Sequence, residues 1–213
     1  MRPSRSSRRW TCLFFATALP ALASATPVLR DDFSDRASGW PNAAATRSRD
    51  LGFAVYTDTG GYQLTPVQDD VFGFIVAPRQ ADGGDVRIKS DLFLYAGLGR
   101  GAAGLGCRYQ DHRNFYAFMA RGDATLMIVR VKDGKAEPLA QGRVKSVVPG
   151  SVDTRLTAEC QGDTLRLSAK GGASISARDT SFSTGKSGLF VIGETTAGTS
   201  GVFDNFVLEA TGG

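Results

Sequence analysis

The side chains able to do acid–base or nucleophilic chemistry are few and scattered. Beyond residue 25 the chain has the glutamates Glu137, Glu159, Glu194 and Glu209, none close to another in sequence. Glycoside hydrolysis needs two carboxyl groups flanking one bond. On a strand, two carboxylates reach one face only if they fall on the same side of the pleat. Asp69 and Asp70 are adjacent, so on a strand they project to opposite faces. The single histidine, His112, sits in Asp111-His112-Arg113-Asn114, which reads as a hairpin turn and therefore as a surface residue rather than a catalytic base. No Gly-x-Ser-x-Gly elbow is present. Distant carboxylates that converge in three dimensions are the route left open to hydrolytic or lyase chemistry.

The elements that must position these groups begin after a leader. Arg2 to Trp10 is basic, Thr11 to Ala23 is apolar, and Ala23-Ser24-Ala25 has the small-x-small form of a cleavage site. The apolar run is short for a membrane helix, which needs about 20 residues. Residues 1–25 are read as a signal peptide and 26–213 as a single domain, secreted to the periplasm or outside the cell, with an uncleaved anchor as the alternative. Four of the 25 basic residues lie in the leader, so the remainder balances 21 acidic residues. A near-neutral domain has no global pull on nucleic acid or on an anionic membrane, and no insertion into a membrane is expected after cleavage. Cys107 and Cys160 remain, and an even pair in an exported chain favours a disulfide. Strand phase agrees: Leu105, Cys107 and Tyr109 share one side of a strand, and Leu156, Ala158 and Cys160 share one side of another. Two buried free thiols are the alternative, and two cysteines with one histidine make no zinc site.

The rest reads as strands with tight turns. Segments such as Val86–Tyr95, Ala103–Tyr109, Phe115–Arg121, Thr125–Val131 and Val152–Cys160 are rich in β-branched and aromatic residues and bounded by turn signals. Asp133-Gly134 is a type I′ hairpin signal. All 26 glycines lie beyond the leader, as many tight turns require. Ser90 interrupts the apolar side of Val86–Tyr95. No sustained helical stripe is present. The pattern predicts an all-β, two-sheet antiparallel β-sandwich or barrel, with 43–50 and 80–85 as its most flexible loops.

Several strings in order carry a resemblance: Asp31-Asp32-Phe33-Ser34-Asp35, Gly39-Trp40-Pro41, Gly104-Leu105-Gly106-Cys107-Arg108-Tyr109, Asn114-Phe115-Tyr116, Leu156-Thr157-Ala158-Glu159-Cys160 and Val202-Phe203-Asp204-Asn205-Phe206. Over about residues 28–209 the chain resembles the concanavalin A-like lectin/glucanase sandwiches, above all bacterial laminin-G-like secreted modules. The resemblance implies two curved sheets of six or seven strands each, in jelly-roll form, with first and last strands paired. Catalytic members carry Glu-x-Asp-x-Glu or a close variant on one strand, and that motif is absent. The keto-sugar hydrolase branch is the enzyme class to test. Many relatives hold structural calcium near their end strands, where Asp32, Asp35 and Asp204 could supply oxygens, ordinary turn roles being the alternative; no other cofactor is implied.

Carbohydrate-binding sandwiches stack aromatics on sugar faces and use charged or amide groups for hydroxyls. Strand phase turns Arg87, Asp91 and Phe93 outward on one strand, and Arg108 and Arg121 outward on two others. Together they would make a ligand platform on a concave sheet. A solvated face of ion pairs is the alternative. Trp40 is expected to cap the core. The functional expectation is an exported, non-catalytic module that binds a glycan or another envelope component. A structural or adhesion module with a protein partner, and a weak carbohydrate-active hydrolase, are the alternatives.

Overall fold

Alternation at period two is plainest in the strand Val86–Tyr95. Val86, Ile88, Leu92 and Leu94 are at most 3% exposed, whereas Phe93 and Tyr95 are half-exposed. The computed structural model describes residues 26–42, 51–66, 70, 72–97, 101–144, 148, 150–193 and 198–212. The leader, the loop 43–50, Asp69 and Glu194 lie outside the described residues. The strands are β1 (Thr26–Asp31), β2 (Leu51–Tyr56), β3 (Tyr62–Pro66), β4 (Phe72–Val76), β5 (Val86–Tyr95), β6 (Ala102–Asp111) and β7 (Asn114–Arg121). They continue with β8 (Thr125–Lys132), β9 (Lys135–Arg143), β10 (Ser151–Gln161), β11 (Thr164–Ala169), β12 (Ser174–Arg178), β13 (Lys186–Ile192) and β14 (Ser200–Ala210). Among the described residues no helix is long and apolar enough to cross a membrane.

The strands form two antiparallel sheets. One has eight strands in the order β12-β11-β10-β5-β14-β3-β2, with β1 also paired to β14; the other has six, in the order β4-β13-β6-β7-β8-β9. The all-β sandwich is as expected, with eight and six strands rather than six or seven in each. Its end strands pair, Thr26 facing Ala210. The Asp133-Gly134 turn has both φ angles positive, 53° and 79°, as a type I′ turn requires.

The core lies between the sheets. Trp40 is 3% exposed and packs on Phe33, Tyr62 and Phe206, the core role expected of it. Its indole N–H donates to Asp31 Oδ2 at 2.8 Å. A separate apolar cluster on the six-stranded sheet contains Phe115, Met119, Met127, Val129 and Phe190.

Cys107 on β6 and Cys160 on β10 form the expected disulfide across the two sheets, with Cα atoms 6.8 Å apart. The next residue departs from the expectation. Arg108 adopts φ 51° inside an irregularity of the β6–β7 ladder, so the alternation slips and consecutive residues are both buried. Tyr109 accordingly packs with the outer aromatic cluster, stacked on Phe74, instead of sharing the side of Cys107. The Arg108 side chain is 1% exposed and donates to Gly84 O (3.1 Å), Phe182 O (2.8 Å) and Asp85 Oδ1 (3.0 Å). Asp85 Oδ1 also accepts the Gly162 N–H at 3.0 Å. Arg108 is thus a buckle between two loops and the β10–β11 turn. The loop 80–85, expected to be flexible, is tied at both ends: Gln80 also exchanges hydrogen bonds with the Ser187 backbone at 2.6 and 3.1 Å.

Candidate ligand-binding face

The five residues grouped by phase divide between the two sheets and the interior. Arg87, Asp91 and Phe93 share the outer face of β5 in the eight-stranded sheet. Arg121 belongs to β7 in the six-stranded sheet, beside an apolar groove of about 290 Å³ that Met119, Met127 and Phe72 help to line. Its guanidinium reaches Asp123 at 3.2 Å. Arg108 is buried. Side-chain phase distinguishes inside from outside but carries no information on which sheet a strand joins, and the grouping failed there.

Asp91 is the centre of what the outer face of β5 assembles. The register sets Arg155 of β10 on one side of Asp91 and Asp204 of β14 on the other. Arg155 makes a two-pronged bond to Asp91, Nε to Oδ1 at 2.6 Å and the terminal nitrogen to Oδ2 at 2.7 Å. Asn205 adds Nδ2 to Asp91 Oδ2 at 3.0 Å. A bulge makes that contact possible. The β14 ladder shifts between Asp204 and Val207, and Asn205 sits at φ 51°, a left-handed geometry that asparagine tolerates. Ser90 explains its place on the apolar side of β5: its hydroxyl, buried beneath the bulge, bonds the carbonyls of Asp91 (2.9 Å) and Asp204 (2.8 Å).

The electrostatics divide the two neighbouring carboxylates. Hydrogen bonds from Arg155, then from Asn205, hold Asp91 below the ordinary carboxylate range against the opposing effect of burial. Burial, with the nearby charges of Asp91 and Asp32, pushes Asp204 up. Such a split accompanies acid–base pairs, but both oxygens of Asp91 are already engaged by Arg155 and Asn205. Glu159 and Glu209 are taken up in an ion ladder with Arg87 and Lys89 at 2.6 to 3.6 Å, and Glu137 bonds Arg130. Arg87 is therefore part of that ladder, its basicity raised chiefly by the hydrogen bond to Glu159.

Next to this cluster the sheet carries exposed aromatic surface. Phe93 and Tyr95 are 50% and 52% exposed. A groove of about 600 Å³ beside them is lined by Asp91, Asp153, Arg155, Thr157, Ser168 and Lys170, among others. Sequence reasoning singled out Asp91 and Phe93 and missed Tyr95, Arg155 and Asn205. Tyr95 could have been found from the parity of Phe93. Asn205 had a signal in Phe203-Asp204-Asn205-Phe206: two core aromatics three apart break the alternation and imply an extra residue. Arg155 had none without the pairing of β5 with β10.

Asp32, Asp35 and Asp204 were the residues suited to calcium. Each spends a carboxylate oxygen on a nearby backbone N–H, of Ser34, Ala37 and Asn205 respectively. Among the described residues no group of three or more His, Cys, Asp or Glu is placed to hold a metal ion.

No family model and no curated protein matches the chain. Solved structures do. The carbohydrate binding module CBM66 from Bacillus subtilis has a TM-score of 0.59 at 24% identity, covering 89% of this chain and 98% of that one. Arcelin-5, a lectin-like defense protein from Phaseolus vulgaris, has a TM-score of 0.59 at 11% identity, covering 88% and 98%. The GH43 protein BlXynB from Bacillus licheniformis, as its K247S mutant, has a TM-score of 0.64 at 14% identity; the match covers 85% of this chain but spans only 39% of that one. These likenesses establish the fold, an all-β sandwich of two antiparallel sheets with a lectin-like form.

Proposed function

We propose that this chain is a non-catalytic, extracytoplasmic module of the laminin-G-like kind that binds a glycan on the outer face of its eight-stranded sheet. The carrying observation is the pair of half-exposed rings, Phe93 and Tyr95, beside the Asp91–Arg155–Asn205 cluster. Rings left in water offer apolar faces for sugar rings to cover, and a braced cluster of carboxylate, guanidinium and amide offers hydroxyl partners at its free edges. The disulfide fits an oxidising compartment, periplasmic or extracellular. The carbohydrate-binding and lectin-like names of two matched structures support the same reading. The test is binding to a panel of soluble and insoluble polysaccharides, by affinity electrophoresis and calorimetry. Phe93→Ala should weaken binding up to about tenfold without lowering the melting temperature. Folded protein that binds no polysaccharide in the panel overturns the proposal.

A further inference from the structure

The exposed aromatic surface does not end at β5. Phe53 on β2 is 47% exposed, and it faces Thr65 of β3. Between Phe53 and Tyr95 lie β3 and β14, where Ser200 faces Tyr95, and Val202 faces both Phe93 and Gln63. The Gln63 amide links the strands, donating to Ser200 Oγ at 3.0 Å and to Thr65 Oγ1 at 3.4 Å. Aromatic surface thus stands at both ends of a strip whose middle is hydroxyl and amide. Three interstrand steps of about 4.8 Å put its ends roughly 14 Å apart, too far for one sugar ring to touch both.

Among the described residues the strip carries no ionised side chain: from β5 to β2 it presents Ser200, Val202, Gln63, Thr65 and Val55 between the rings. The adjoining groove is balanced, Arg155 and Lys170 against Asp91 and Asp153. Among the described residues a uronate- or sulfate-bearing chain finds no surplus of positive charge here, whereas hydroxyls find acceptors and donors throughout.

We infer that the ligand is an extended, uncharged oligosaccharide chain lying across β5, β14, β3 and β2, stacked on Phe93 and Tyr95 at one end and on Phe53 at the other. The inference rests on the glycan-binding reading and adds the ligand's length, direction and charge.

The probes are cello- and xylo-oligosaccharides of graded length, from disaccharide to hexasaccharide, with oligogalacturonides as the charged counterpart, measured by calorimetry. Phe53→Ala should lower hexasaccharide affinity about fivefold and leave disaccharide affinity unchanged, while Phe93→Ala lowers both. Affinity should change by less than about twofold from low to high salt. Phe53 is half-exposed, so its truncation leaves the core intact, and an unchanged melting temperature checks this. If neutral glycans bind but Phe53→Ala has no effect at any length, or if oligogalacturonides bind better and with steep salt dependence, this inference falls and the glycan-binding reading stands. If no glycan of any length or charge binds, both fall.

Discussion

Replacing Arg108 by methionine removes the guanidinium while keeping an unbranched stem of similar bulk. The change leaves Gly84 O and Phe182 O without the donors they now have at 3.1 and 2.8 Å. A stranded buried acceptor costs about 1–3 kcal/mol. Asp85 also loses its partner, but its side chain is 36% exposed and water can take over. Two stranded acceptors put the expected loss at about 2–6 kcal/mol. Asp85→Asn supplies the contrast. It keeps an oxygen for the Gly162 N–H and for Arg108 but removes the carboxylate that faces a buried guanidinium, and should cost about 1–2 kcal/mol. Urea unfolding followed by the fluorescence of the buried Trp40 reads both variants. With a slope of about 2 kcal/mol/M, the Arg108→Met midpoint should fall by roughly 2 M and the Asp85→Asn midpoint by less than about 1 M, slopes unchanged. Equal shifts in the two variants, or a fall of less than about 0.5 M for Arg108→Met, would refute the claim that Arg108 holds these loops through their carbonyls.

Two further outcomes follow from the same interior. The Cys107–Cys160 bridge closes a separation of 53 residues, for which chain entropy predicts about 4 kcal/mol of stabilisation; alkylation before reduction should label neither cysteine, and a reductant should lower the melting temperature, so labelling of both thiols in the folded protein would contradict the structure. The Tyr116 phenol, raised to about 12 by burial and by its hydrogen bond to Asp179, favours the protonated form in the fold. Its contribution is therefore complete below pH 10, roughly the value in an unfolded chain, and is lost as pH rises from there toward 12. Tyr116→Phe should flatten the alkaline limb of a stability–pH curve, and an unaltered limb would show that this phenol is not titrating there.

What could be read in advance was whatever depends on neighbours in sequence. The inward sides of β5 and β10, the turn at Asp133-Gly134 and the pairing of two inward-facing thiols all follow from local parity and turn chemistry. Strand β9 escaped notice because Lys135–Arg143 is exposed or intermediate along its whole length and contains Pro138, features of an edge strand with no apolar side to betray it. Strand β1 is short and has a proline, Pro27, at its second position. Arg108 was misjudged because one residue in the left-handed region reverses the parity on which its outward assignment relied. The ligand face was half legible. Asp91 and Phe93 announce their side, but Arg155 meets Asp91 only through a pairing between strands 64 residues apart, and that register is decided by packing rather than by local pattern.

Strand β14 pairs with β5, β3 and β1, and it follows all three in the chain. During synthesis, then, the eight-stranded sheet has no central rail until β14 emerges, and β1 waits for its partner while the twelve strands between them are made. Such non-local closure makes for slow folding. A nascent polypeptide that cannot seal itself early stays open along its length until its distant halves meet.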